Sequence, residues 1–196
     1  MEELNNAVES DELVLILHGA SKGINSEPVT SIFNRLKTAS KRVSAIEFSF
    51  ITKKTDPDPD QIVETEELEN YLKAQRYKRL TVIAHSNGGL VALVATTRGL
   101  VINHLILLGL TSVTKEGTKQ IIAEIVRKIT SEGNRVTIIQ PENDPYSTPL
   151  EVKNFINEFD LDVELYTIPG DHYFRGAEPK LSDLIYELVS ATEHAQ

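Results

Sequence analysis

An α/β fold, with a parallel sheet covered by helices, is what this sequence predicts, and three observations predict it. Short apolar runs rich in Val, Ile and Leu alternate with longer stretches of helical periodicity, the order expected of βα units. Most of the short runs are continuous rather than alternating, as strands buried on both faces require. At 196 residues the chain suits a single domain, burying roughly 70% of the surface that its unfolded form exposes.

The elements follow in order. Residues 13–18, 43–48, 80–84, 102–108, 136–140 and 163–168 read as strands. A helix over 28–39 follows the first strand, with Ser26 as its candidate N-cap. Residues 52–60 hold two prolines, two lysines and three aspartates, the composition of a surface loop leaving the second strand. Helical patterns then cover 61–75, 88–97, 115–131, 149–159 and 180–192. In the fourth helix Ile121, Ile122, Ile125, Val126 and Ile129 recur at helical spacing and predict a core-facing stripe. Residues 1–11 and 193–196 are expected to be flexible, which leaves one domain over 1–196 with a core of about 13–192.

Composition narrows the function classes. Apolar residues make up 40% of the chain and charged residues 25%, an ordinary globular balance. Twenty basic against twenty-nine acidic side chains give a net charge of −9 with no basic cluster, so no nucleic-acid partner is expected. Cysteine is absent, which removes disulfides, thiolate metal sites and a cysteine nucleophile together. The acidic, polar start lacks the features of a signal peptide, and no apolar run of about 18 residues occurs. A cytoplasmic protein without membrane contact is the expectation, and homodimerisation stays open.

The chemistry concentrates in three loops. Leu80-Thr81-Val82-Ile83-Ala84 leads into His85-Ser86-Asn87-Gly88-Gly89 and then into an apolar helical pattern. A serine thus stands at a strand-to-helix turn with small residues, Ala84 and Gly88, two positions away on either side, as a strained nucleophile turn requires. The plain alternative is a serine capping a helix above a glycine-rich turn. A serine hydroxyl is a weak nucleophile at neutral pH and needs a base beside it. Among five histidines, His18 ends a strand, His85 lies in the turn, His104 lies within a strand and His194 in the tail. Only His172 occupies a loop beyond the last strand, in Pro169-Gly170-Asp171-His172-Tyr173-Phe174, where Asp171 reads as solvent-facing. After the fifth strand, Pro141-Glu142-Asn143-Asp144-Pro145-Tyr146 offers two acids. All three loops follow strands, and the carboxyl ends of parallel strands are where open α/β sheets place ligands.

Together these residues resemble the α/β-hydrolase superfamily, and within it the small dienelactone-hydrolase-like branch. The pieces are Leu17-His18-Gly19-Ala20, the loop after Phe48-Ser49-Phe50, the Ser86 turn, Asn143-Asp144-Pro145-Tyr146 and Gly170-Asp171-His172, spanning residue 13 to about residue 176. The resemblance implies a minimal α/β-hydrolase fold of about six parallel strands with helices on both faces and no lid domain. It also implies a triad in the chain order serine, acid, histidine: Ser86 as nucleophile, Asp144 as orienting acid with Glu142 as the alternative, and His172 as general base and acid. The backbone N–H groups of Ala20 and Asn87 become the oxyanion hole, supported by His18, Gly19, His85 and Gly88. Two departures stand out. Dienelactone hydrolases carry a cysteine nucleophile where this chain has Ser86, and the usual first glycine of the turn is Ala84.

The implied activity is hydrolysis of a carboxylic ester of a small or short-acyl substrate through an acyl-enzyme. Thioester or peptide bonds are the nearest variants, and a non-catalytic ligand-binding protein on the same scaffold is the alternative from another class. No cofactor is expected. Nor is a metal, since no two histidines sit at helical ligand spacing with acids nearby, and Asn87-Gly88-Gly89 lacks the lysine and spacing of a nucleotide loop.

Overall fold

The computed structural model describes residues 2–6, 8–39, 41–49 and 61–191. The loop expected over 52–60, Phe50, and the tail 193–196 with His194 lie outside the described residues.

Seven strands form one sheet in the order β1-β3-β2-β4-β5-β6-β7. These are β1 (Glu3–Asn5), β2 (Glu12–Leu17), β3 (Val43–Ile46), β4 (Arg79–His85), β5 (His104–Leu108), β6 (Arg135–Pro141) and β7 (Glu164–Ile168). The six expected strands all form and all pair in parallel. The seventh is a finding: β1, within the acidic start expected to be flexible, pairs antiparallel with β3, Leu4 opposite Ala45. A three-residue polar strand has no periodicity to betray it.

Strand alternation feeds two cores. Leu13, Leu15 and Leu17 of β2 point into one cluster, and Val14 and Ile16 into the other. The first cluster is covered by α2 (Gln61–Lys73), α3 (Asn87–Thr97), α4 (Glu116–Ser131) and α5 (Pro149–Glu158), through residues such as Leu68, Val91, Val126 and Phe155. The second is covered by α1 (Glu27–Thr38) and α6 (Glu178–Ala191), through Ile32, Leu36, Ile185 and Val189. Helices on both faces explain why the strands read as continuous apolar runs.

Two local expectations are corrected. In α4, Ile122, Ile125, Val126 and Ile129 are buried, but Ile121 is 59% exposed; the stripe is narrower than the run of isoleucines. Ser26 stands at the N-cap of α1 with extended backbone, yet its hydroxyl accepts no cap bond and is buried without a partner among the described residues. At α5 the cap is complete: Thr148 Oγ1 accepts from Glu151 N, and Glu151 accepts from Thr148 N in return.

The connection order sets where a cleft opens. From β2 the chain crosses to β3 on one side, whereas from β4 it crosses to β5 on the other. The carboxyl ends of β2 and β4 therefore flank the switch point, where such sheets open a crevice. Between β5 and α4 only residues 109–115 intervene, so no helix is inserted in that connection. Among the described residues no helix is long and apolar enough to cross a membrane.

Candidate active site

Ser86 follows β4 directly and starts α3 at φ 51° and ψ −115°, a backbone region that side-chain-bearing residues rarely occupy. Its N–H donates to the Leu108 carbonyl at 2.9 Å and its carbonyl accepts from Gly89 N at 2.9 Å, so the turn is held from both sides. Such tightness needs missing side chains. A Cβ at Gly88 would stand 2.8 Å from the His18 carbonyl oxygen and 2.9 Å from Leu17 Cβ, and one at Gly19 2.9 Å from His85 Nδ1. Ala84, at the other small position, is completely buried.

Three loops converge above the sheet. Ser86 Oγ lies 2.8 Å from His172 Nε2, and His172 Nδ1 lies 2.7 Å from Asp144 Oδ2. One tautomer satisfies both contacts: the serine O–H donates to Nε2, and Nδ1–H donates to the carboxylate. His172 and Asp144 are buried, with 3% and 2% exposure, whereas Glu142 is exposed. Of the two acids, it is Asp144 that meets the imidazole. The loops carrying them are tied together: Glu142 N donates to Ile168 O and Asn143 N to Gly170 O, extending the β6–β7 ladder beyond the strands.

Several residues that sequence reasoning misses complete this arrangement. Gln140, fully buried, donates through Nε2 to Asp144 Oδ2 at 3.1 Å and to the Ser147 carbonyl at 2.7 Å, and accepts from Leu110 N at 2.9 Å. Tyr146 N donates to Asp144 Oδ1 at 2.9 Å. The carboxylate is thus held on both oxygens. Gly109, at φ 61°, packs against the pair: a Cβ there would stand 3.1 Å from His172 Nδ1. Asp171 does more than face solvent. Its Oδ1 accepts from Tyr173 N and Arg175 N, and it pairs with Arg175 at 2.7 Å. Partial burial works to raise its pKa, but the bonds from the Arg175 and Tyr173 backbones and the Arg175 charge outweigh it, and the carboxyl sits below its ordinary value. Asp171 thereby shapes the loop that presents His172.

The other expected residues surround the serine. His85 Nε2 donates to the His172 carbonyl at 2.8 Å, while its Nδ1 is buried without a partner among the described residues. Burial pushes this imidazole down to about 4, so His85 is a neutral prop. His18 receives the Phe48 N–H at Nε2, 3.0 Å, and donates from Nδ1 to the Gly19 carbonyl, 2.6 Å; burial lowers its pKa too. Beyond it the turn runs through Lys22 and Gly23, both at positive φ, and is fastened by Glu47, which accepts the Ile24 N–H at 2.7 Å. Glu47 is only 6% exposed, and a Cβ at Gly23 would stand 2.0 Å from its carboxylate. A side chain there would push the Glu47 carboxylate off the Ile24 N–H. Ala20 and Asn87 both border the cleft in which Ser86 and His172 lie, a half-open space of about 350 Å³ whose lining includes the 111–115 turn and Tyr146 and Tyr173.

No family model and no curated protein matches the chain. Solved structures do match over nearly the whole length. Est1E from Butyrivibrio proteoclasticus, in a structure with bound ferulic acid, is 15% identical with a TM-score of 0.72, covering 97% of this chain and 94% of that one. An alpha-beta serine hydrolase homologue from Coxiella burnetii is 18% identical with a TM-score of 0.75, over 95% and 89%. MGS-MChE2, an alpha/beta hydrolase enzyme from the metagenome of lagoon sediments at Mar Chica, Morocco, is 16% identical with a TM-score of 0.74, over 97% and 95%. At these identities the likeness is one of fold, and the fold is that of the α/β hydrolases.

Proposed function

We propose that this chain is a serine hydrolase that cleaves carboxylic esters of small or short-acyl substrates. The observation that carries the reading is the hydrogen-bonded series Ser86 Oγ, His172 and Asp144, at 2.8 and 2.7 Å. Contacts of this length are those of a nucleophile, its base and an orienting acid. The strained backbone at Ser86 fits the same role, because strain of this kind persists where the surroundings over-determine it and clusters at functional sites.

In the reaction, His172 Nε2 takes the Ser86 proton as Oγ bonds to the ester carbonyl carbon. Asp144 keeps Nδ1 protonated and stabilises the imidazolium. The carbonyl oxygen gains negative charge opposite the backbone N–H groups assigned to Ala20 and Asn87, the second at the start of α3, where the helix dipole favours an anion. The C–O bond to the leaving group then breaks, and His172 returns the proton to the departing alcohol. Water, deprotonated by the same histidine, releases the acid and restores Ser86. A thioester can follow the same path, with a thiol as leaving group.

The half-open cleft of about 350 Å³ sits at the low end of ligand-site sizes, which favours a small substrate. Similarity of fold to an esterase-named structure supports the class without fixing the ester. The test is hydrolysis of p-nitrophenyl acetate together with labelling by an alkyl fluorophosphonate. Ser86→Ala is expected to lower turnover roughly 10³-fold or more and to abolish labelling. Undiminished turnover, or an adduct elsewhere, overturns the reading.

A further inference from the structure

The cleft wall opposite in character to the rest of the surface is the turn between β5 and α4. The chain carries 29 acidic and 20 basic side chains, yet among the described residues no Asp or Glu lines the cleft, and the one lysine that does is Lys115. Lys115 forms no ion pair among the described residues, and the neighbouring Glu116 is engaged by Lys119 at 3.1 Å. Beside Lys115, Thr111, Ser112 and Thr114 also line the cleft. Their hydroxyls make no hydrogen bond among the described residues.

The backbone here is built rather than slack. Gly109 N donates to Ile139 O and Leu110 N to the Gln140 side chain, which anchors the start of the turn to the residue that also holds Asp144. Ser112 is held at φ 67°, and its carbonyl accepts from Lys115 N at 3.3 Å. A non-glycine residue at positive φ within a functional cleft is strain with a purpose to be sought.

We infer that this turn recognises an ester bearing a second, ionised carboxylate a few carbons from the scissile bond, with Lys115 as the charge partner and the Thr111, Ser112 and Thr114 hydroxyls as donors. The inference rests on the reading of Ser86 as nucleophile. A carboxylate fits better than a phosphate: among the described residues a single ammonium balances one negative charge and no arginine fork lines the cleft for bidentate phosphate binding, and the net charge of −9 opposes a dianion more than a monoanion. The distant acids are screened beyond roughly 10 Å at ordinary salt, so the local field at Lys115 decides. Tyr146, Tyr173 and Leu90 supply the apolar part of the wall for the short carbon chain.

The experiment compares matched pairs. Monomethyl glutarate against methyl pentanoate places the carboxylate on the acid side, and 4-acetoxybutanoate against butyl acetate places it on the alcohol side. In one pair, kcat/KM is expected to favour the anion. Lys115→Met should reduce the anion-to-neutral ratio on the order of tenfold, Lys115→Arg should retain it, and added salt should shrink it. Binding is read separately by calorimetry of monomethyl glutarate and 4-acetoxybutanoate on Ser86→Ala and on Ser86→Ala with Lys115→Met. Loss of binding with the lysine supports the site even if wild-type turnover is nil, in which case the hydrolase reading alone falls. No Lys115-dependent ratio and no Lys115-dependent binding, or a preference that survives in Lys115→Met, overturns it.

Discussion

The two ends of the sheet are built on opposite plans. At the carboxyl end, buried polar groups from three loops are bonded to one another around a single serine, in a cleft of about 350 Å³. At the amino end lies a groove of about 920 Å³, bordered by Arg42, Tyr71, Arg76 and Lys78 and, among the described residues, without a histidine in its lining. There Arg42 spends its guanidinium on the Ser10 carbonyl and the Gln75 side chain, and Lys78 meets Asp11 in the open. The larger hole has these charged groups tied to one another and to backbone carbonyls. Size is the usual first guide to a site, but the convergence of a serine, a histidine and an aspartate is the better one here.

That contrast can be broken by mutation. The largest effect is expected at Asp144: Asp144→Asn should preserve the fold yet lower kcat roughly 10⁴-fold by favouring the wrong His172 tautomer, while Glu142→Gln, at an exposed position, should leave kcat within about twofold. Equal losses in both would overturn the choice of Asp144 over Glu142. Next comes Gln140→Leu, which strands the Leu110 N–H and the Ser147 carbonyl in the core. Urea denaturation should show a loss of about 1–3 kcal/mol, accompanied by a lower kcat as Asp144 loosens.

His104 carries the comparison to the amino end. It is fully buried, its Nε2 2.9 Å from Thr137 Oγ1, and burial, with help from the Arg135 charge, pushes its pKa down to about 4. The unfolded chain binds that proton near the ordinary 6.5, so stability is complete above that value and falls as pH drops towards 4. His104→Gln should flatten the difference in unfolding free energy between pH 7 and pH 4.5 by on the order of 2 kcal/mol. Part of the acid sensitivity must persist, because His85 at the other end is depressed to the same level. The smallest effect belongs to Lys78→Ala. Its pair with Asp11 has both side chains more than two-thirds exposed, and no measurable change in Tm is expected.

Much of this was legible in the residues, for identifiable reasons. Strands buried on both faces announce themselves by composition; Ser86 follows one directly and His172 lies four residues past the end of another. Asp144 and Glu142 share one six-residue loop; the sequence favours Asp144, and three-dimensional placement leaves Glu142 exposed and away from the imidazole. Gln140 and Gly109 are illegible for another reason: their partners lie in other elements, Leu110 thirty residues from Gln140 in sequence and His172 farther still from Gly109. Ile121 misleads because a run of isoleucines carries no mark of where the buried arc of a helix ends.

One feature of the Ser86 turn reaches beyond catalysis. A φ of 51° with ψ of −115° is a conformation glycine adopts freely and serine does not, and holding a side chain there costs roughly 1–3 kcal/mol, a sizeable share of the 5–15 kcal/mol that keeps a domain folded. Natural selection for thermal robustness alone would favour glycine at this position. With Ser86 in the proposed nucleophile role, reactivity and durability are in direct opposition at one residue, and a programme of directed evolution that screens only for heat resistance would be pushed towards an inert protein.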